Sequence, residues 1–110
     1  MEHRIISFGI DEIAVDTENV ADSINEACTK RHHHYWVRGV CQLESRVYFM
    51  LLPVSEAQES ETYRLITLDE IGHENFVATV NGRYQGGYDT VGSIKVYDTI
   101  MLVVAKAHKG

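Results

Sequence analysis

The sequence predicts an α+β domain with a ferredoxin-like split β-α-β arrangement, in which an antiparallel sheet carries two helices on one face. Two observations predict it. Each half of the chain follows one rhythm: a strand-like run, a helix-like segment, a strand led by an aromatic residue and an apolar strand. The length of 110 residues also suits a single domain, 1–110, with one hydrophobic core.

The first half begins with a predicted strand and a predicted helix. Residues 4–10 are rich in β-branched and aromatic types, which favour a strand, and residues 13–15 extend it past a bulge. Val20, Ile24 and Cys28 then recur every fourth residue, which predicts an amphipathic helix. A polar pair just ahead of it can supply the capping oxygen. We expect the apolar stripe of this helix to lie on the sheet.

A central hairpin follows, with strand-like runs at residues 35–43 and 46–52 around a polar corner. The second run is apolar on both of its faces, which comprise Val47, Phe49 and Leu51 on one side and Tyr48, Met50 and Leu52 on the other. Each face therefore needs a cover. A chain of this length can hardly cover both, so we expect a partner subunit, most simply a second copy in a homodimer.

Two residues of the first hairpin strand suit a subunit contact. Simple alternation places Trp36 and Arg38 on the face opposite Val37 and Cys41. An arginine stacked over an aromatic ring is a frequent feature of interfaces. We therefore expect Trp36 and Arg38 to stack where two copies meet, with the lining of an active-site cavity as the alternative.

The segment after the hairpin is predicted to hold the second helix. Pro53 ends the hairpin ladder because proline has no amide hydrogen, and residues 55–61 form an acidic, polar loop. Residues 62–71 are predicted as a helix, since Ser60 can cap its start and Gly72 follows its end. Much of this run would suit a strand equally well, because it is apolar, aromatic or β-branched.

The last group of strands closes the chain. Residues 76–80 predict a strand, Asn81 and Gly82 suit a type I′ turn, and residues 83–85 start the return strand. A glycine-rich loop interrupts that return. The last strand, residues 94–106, has an apolar middle that we expect to be deeply buried.

Residues 68–77 join the predicted second helix to the next strand and read Leu, Asp, Glu, Ile, Gly, His, Glu, Asn, Phe, Val. This run resembles a junction in a family of short bacterial domains of unknown function, where Leu-Asn-Glu-Leu-Gly is followed, after two residues, by Gly-Trp-Glu-Leu. Phe76 stands at the tryptophan position, and Asn75 stands where the family prefers glycine. The resemblance covers about residues 46–106 and supports the fold. The family has no known activity, so the function stays open.

Charge and the length of apolar runs exclude two classes of partner. The net charge of -6 works against a nucleic-acid backbone, which binds clustered lysine and arginine. The apolar runs fall far short of the roughly 20 residues that cross a bilayer, so no membrane is expected. Cys28 and Cys41 suit free, buried thiols in a reducing compartment, which predicts a cytoplasmic protein.

The glycine-rich loop of the second half offers a candidate ligand site. Arg83 can bind an anion, Tyr84 can stack or hydrogen-bond, and glycine leaves the backbone amides of Gly86 and Gly87 approachable. His73 stands close by in the sequence. We therefore predict Arg83, Tyr84, Gly86, Gly87 and His73 as ligand-binding residues, although an ordinary hairpin connection accounts for the same composition.

Metal and cofactor chemistry find little support. Cys28 and His32 are four residues apart, as two ligands on one helix face would be. A closed zinc site needs four ligands, and the other cysteine and histidine residues have no metal-site spacing. No serine or cysteine stands in a recognisable nucleophile motif. We therefore expect no metal and no cofactor.

These observations favour a homo-oligomeric binding module without catalysis, which takes a small molecule or a protein as ligand. The alternative is a small cofactor-free enzyme with a cavity between sheet and helices, using His73 or Tyr84 as acid or base. A third hypothesis is docking of the acidic residues 56–74 onto a basic protein.

Overall fold

The computed structural model describes residues 3–29, 34–54, 60–67 and 88–108. These residues form β1 (Arg4–Gly9), α1 (Ile10–Val15), α2 (Thr17–Cys28), β2 (His34–Leu43), β3 (Arg46–Val54), β4 (Ser60–Thr67), β5 (Asp89–Val96) and β6 (Thr99–His108). The strands make two antiparallel three-stranded sheets, the first in the order β1-β3-β2 and the second in the order β4-β6-β5. β3 and β6 are therefore the central strands.

The predicted ferredoxin-like fold is wrong, because the strands are divided between two sheets and do not form one sheet with two helices on one face. The helices of the described residues are the two short ones that follow β1. Residues 62–67, expected to begin the second helix, belong to β4. Each of them pairs with β6, so the ladder and packing of a sheet outweigh the local signals for a helix start. Residues 68–71 of that expected helix lie outside the described residues.

The helix expected after the first strand is confirmed as α2. Asp16 caps it, since Asp16 Oδ1 accepts a hydrogen bond of 3.1 Å from the Asn19 N–H. Val20, Ile24 and Cys28 are buried, as the spacing predicts. Neither described helix has the length and apolar character needed to cross a membrane.

A short helix replaces the bulged strand extension expected at residues 13–15, and that expectation is wrong. α1 begins directly after β1, where Glu12 Oε1 accepts a hydrogen bond of 3.2 Å from the Gly9 N–H. Ile13 is fully buried and anchors α1 on the core. The chain therefore turns from β1 into α2 through α1 instead of continuing the sheet.

The hairpin of β2 and β3 forms where the sequence predicts it, but the expectation that Pro53 ends its ladder is wrong, since Pro53 pairs with Tyr35 and Val54 pairs with His34. β1 reaches only as far as Leu51, so among the described strands β3 pairs on one side alone at Pro53, where a sheet tolerates proline. Leu43 pairs with Arg46 at the end of the ladder, and Glu44 and Ser45 form the turn. Glu44 has a φ of 55°, which is the left-handed region that a tight turn requires.

β2 holds the two sheets together. Its first half lies near β4 and its second half near β5, so it runs across the second sheet. Val40 packs against Gly92 of β5, where a Cβ on the glycine would lie 2.6 Å from Val40 Cγ2. The Gln42 side chain then donates to Lys95 O at 2.6 Å and accepts from the Lys95 N–H at 2.9 Å. Glycine at position 92 therefore allows the close approach of the sheets.

A closed apolar core lies between the helices and the inner faces of both sheets. β6 is buried on both of its faces. It presents Met101, Val103 and Ala105 to this core, while Leu102 and Val104 belong to a second cluster on the opposite face. The predicted burial of residues 101–105 is thus confirmed. A single strand over residues 94–106 is wrong, because Tyr97, with a φ of 55°, and Asp98 form a turn that pairs the end of β5 with the start of β6.

Candidate functional site

The predicted ligand residues lie outside the described residues. They are His73, Arg83, Tyr84, Gly86 and Gly87. His32 and residues 68–77, which carry the family resemblance, also lie outside. The ligand site, the enzyme alternative and the resemblance therefore stay predictions.

The face of the first sheet that points away from the core is apolar and open to solvent at its centre. We define this outer face by Ile5 of β1, Trp36 and Cys41 of β2, and Tyr48, Met50 and Leu52 of β3. Ile5 lies opposite Met50 in the ladder, and their exposed fractions are 65% and 41%. Tyr48 and Leu52 are half-buried. The alternate residues of β3 are fully buried in the core.

A bulge in β2 decides which side chains join the outer face. The register shifts between Val37 and Val40, so that two residues of β2 stand against one of β3. Beyond the bulge Cys41 lies opposite Tyr48, and so points away from the core. The expectation that Cys41 shares the face of Val37 is therefore wrong, because the extra residue reverses the alternation.

Arg38 closes one end of the outer face. Its guanidinium carbon lies 4.6 Å from the centroid of the Trp36 ring, which confirms the expected stacking. Beside them Met50 lies over Gly39, where a Cβ would collide with the methionine side chain. Glycine in the bulge therefore lets the thioether lie flat on the sheet.

Arg38 also belongs to a hydrogen-bond network that joins β2 to β4. The Tyr63 hydroxyl accepts a hydrogen bond of 2.8 Å from the Val37 N–H and donates one of 2.6 Å to Glu61 Oε1. Arg38 donates to both carboxylate oxygens of Glu61 at 3.1 Å. Burial raises the pKa of Tyr63, and the hydrogen bond to Glu61 raises the pKa of Arg38. The network thus joins β2 of the first sheet to β4 of the second and helps to hold the two sheets together.

The acidic region expected to dock on a basic protein, residues 56–74, is described only at residues 60–67. The acid in that part is Glu61, whose two oxygens are engaged by Arg38 and Tyr63. The described part of this region therefore offers no free carboxylate for docking.

The two free cysteines lie in opposite environments. Cys28 is buried, and desolvation, assisted by the negative charge of Glu61, raises its pKa from 9.0 to about 12. Cys41 is exposed on the outer face, so the expectation that both thiols are buried is wrong for Cys41, because the bulge turns its side chain away from the core. Across the described ranges, no group of three or more histidine, cysteine or acidic residues could hold a metal ion. The buried thiol of Cys28 is therefore inert, whereas the reactivity of the exposed Cys41 thiol depends on whether the outer face is accessible.

Comparison with known proteins gives no assignment. No protein-family model, curated protein or solved structure matches the chain.

Proposed function

We propose that this protein is a homodimeric binding module without catalysis, whose copies join through the outer face of the first sheet. The observation that carries the proposal is the open apolar centre of that face, marked by Ile5 and Met50. The other face of the same sheet already packs in the core, so the first sheet cannot bury its outer face against that core as well. A second sheet packed about 10 Å away would cover it.

The residue types of the outer face support an interface. Tryptophan, tyrosine and methionine are enriched in the buried centres of protein interfaces. Full burial of a large apolar side chain stabilises by about 1.5–3 kcal/mol, so the exposed parts of Ile5 and Met50 add a useful fraction of that in a dimer. The surface is rigid, because all of its side chains stand on paired strands.

A second copy is the partner that suits this face best. None of its six defining side chains carries a charge, so two copies meet there without like-charge repulsion at the centre, although each copy has a net charge of -6. An apolar sheet face is also complementary to itself under a two-fold axis. Arg38, which is already paired with Glu61, lies at the margin.

The predicted loop residues complete the proposal as the site of a small ligand. His73, Arg83, Tyr84, Gly86 and Gly87 support it by residue type alone. We also propose a cytoplasmic location, supported by two cysteines that are both unpaired.

Native mass spectrometry of the gently purified protein, with sedimentation equilibrium at micromolar concentration, tests the proposal. We expect a dimer for the natural chain and a monomer for Ile5→Lys, because lysine places two buried charges in the interface. Val15→Lys is the matched control. Val15 is 86% exposed on α1, away from the outer face, so the same change of residue should leave the dimer intact.

Alkylation of Cys41 gives an independent reading of the same interface. In the dimer we expect Cys41 to react several times more slowly than in Ile5→Lys, while Cys28 stays unreactive in both until the protein unfolds. A natural chain that sediments as a monomer, or a Val15→Lys variant that dissociates as fully as Ile5→Lys, would contradict the proposal.

A further inference from the structure

A groove separates α2 from the outer edge of β4. Among the described strands, β4 ends the second sheet on one side, and α2 packs beside it. The groove between them has a volume of ≈ 490 Å³. Ligand sites in proteins commonly measure about 300–1,000 Å³, so this groove has room for a short stretch of peptide.

Asn25 of α2 shows what the edge of β4 can bind. Its side-chain amide donates a hydrogen bond of 3.1 Å to Tyr63 O and accepts one of 2.7 Å from the Tyr63 N–H. These are the two bonds that a neighbouring strand would make. Because peptide groups alternate in direction along a strand, those of Leu65 point the same way as those of Tyr63. Leu65 lines the groove, so its peptide groups lie where an added strand would pair.

The helical wall of the groove is acidic. Glu18 and Asp22 both line it, both are exposed, and they stand one turn apart on α2. Glu18 lies in the first turn of α2, where the helix dipole favours an acid, but the two carboxylates repel each other at this spacing. Arg64 also lines the groove, and its guanidinium carbon lies 5.8 Å from the centroid of the Tyr88 ring. The two carboxylates outnumber this single guanidinium, so the lining has a negative balance and favours a cationic occupant.

We propose that this groove binds an extended segment of another protein that carries lysine or arginine at alternate positions. The segment adds to β4 as a further strand and exchanges main-chain hydrogen bonds with Leu65. Its basic side chains reach Glu18 and Asp22, which gives selectivity. Asn25 sets one end of the bound segment because its side chain already hydrogen-bonds the main-chain N–H and C=O of Tyr63. This peptide site shares no residue with the outer face and does not depend on the dimer.

The test uses the full chain and a fluorescently labelled, end-blocked peptide of eight residues that alternates valine with lysine. Fluorescence anisotropy should show saturable binding in the micromolar range. Asp22→Lys should weaken it about 10-fold or more, because an attractive charge becomes a repulsive one. Glu26→Lys is the matched control, since Glu26 is an exposed acid of the same helix that does not line the groove, and it should change affinity less than about 3-fold.

Two further peptides separate strand addition from simple charge attraction. Proline in place of one central valine keeps the charge but removes an amide hydrogen, and should abolish binding. A peptide that alternates valine with glutamate should not bind. Equal binding of the proline peptide, or equal losses in Asp22→Lys and Glu26→Lys, would overturn the proposal in favour of non-specific attraction. Equal unfolding midpoints for the two variants establish that both are folded, and Ile5→Lys should bind the peptide like the natural chain.

Discussion

The two sheets share one strand order but differ in how the chain covers their central strands. β3 and β6 both carry apolar residues without polar alternation. β6 is buried on both faces, with Val103 in the core and Val104 in the second cluster. β3 buries only one face and leaves Met50 41% exposed on the other. The same sequence pattern thus gives one strand that is covered on both faces and one that is not. The uncovered face of β3 is the surface through which we propose that two copies join.

The sheets also differ in how their edges are closed. In the second sheet, the Asn25 side chain hydrogen-bonds the main-chain N–H and C=O of Tyr63 at the edge of β4. The Gln42 side chain does the same to Lys95 at the edge of β5. A side-chain amide can replace a missing strand at one residue only, since it has one donor group and one acceptor group. The edge is therefore closed locally, and the proposed peptide site begins at Leu65, two residues beyond the capped position.

The largest effect should come from placing one charge on each central strand. Val104→Lys buries an unpaired ammonium and should lower the free energy of unfolding by more than about 4 kcal/mol. Met50→Lys lets the charge reach water and should cost less than about 1 kcal/mol. Urea unfolding measures both, at a protein concentration low enough to keep the natural chain monomeric. Similar losses in the two variants would remove the difference between β3 and β6.

A smaller effect should follow from crowding the contact between the sheets. Gly92→Ala brings a methyl group against Val40 and should lower the free energy of unfolding by about 1–3 kcal/mol. Val40→Ala makes room for that methyl group. The double variant should therefore be more stable than the sum of the two single losses predicts. Strict additivity in this cycle would show that the sheets do not meet at these two residues.

The smallest effect is a pH dependence that distinguishes the two cysteines. Unfolded Cys28 ionises near pH 9.0, whereas the folded protein holds this proton until about pH 12, so the stability from its burial is complete below pH 9 and is lost as the pH rises through that interval. Between pH 9 and 10 the free energy of unfolding should fall, and Cys28→Ala should flatten the fall. Cys41→Ala is the control and should leave it unchanged, because Cys41 is exposed. Above pH 10 Tyr63, whose pKa is also raised, adds to the loss. Equal slopes for Cys28→Ala and the natural chain would show that Cys28 is not desolvated.

Local signals predicted the elements whose form depends on neighbouring residues. α2 follows from the four-residue spacing of Val20, Ile24 and Cys28 and from a polar pair ahead of it. The β2–β3 hairpin follows from two strand-like runs around a short polar corner. The candidate interface was also predictable in outline, because a strand that is apolar on both sides requires two covers. The residues that form this interface were not predictable, since a bulge at Arg38 and Gly39 moved Cys41 to the outer face.

The sequence by itself therefore determined α2, the central hairpin, the deep burial of residues 101–105 and the apolar character of both faces of β3. Only the tertiary structure decided that residues 62–67 form a strand, that the strands divide into two sheets, and that β6 is covered by its own chain while the centre of the outer face stays open. The physical reason is range. Helix spacing, capping and turns depend on residues a few positions apart, whereas strand pairing and burial depend on segments that meet only when the whole chain has folded.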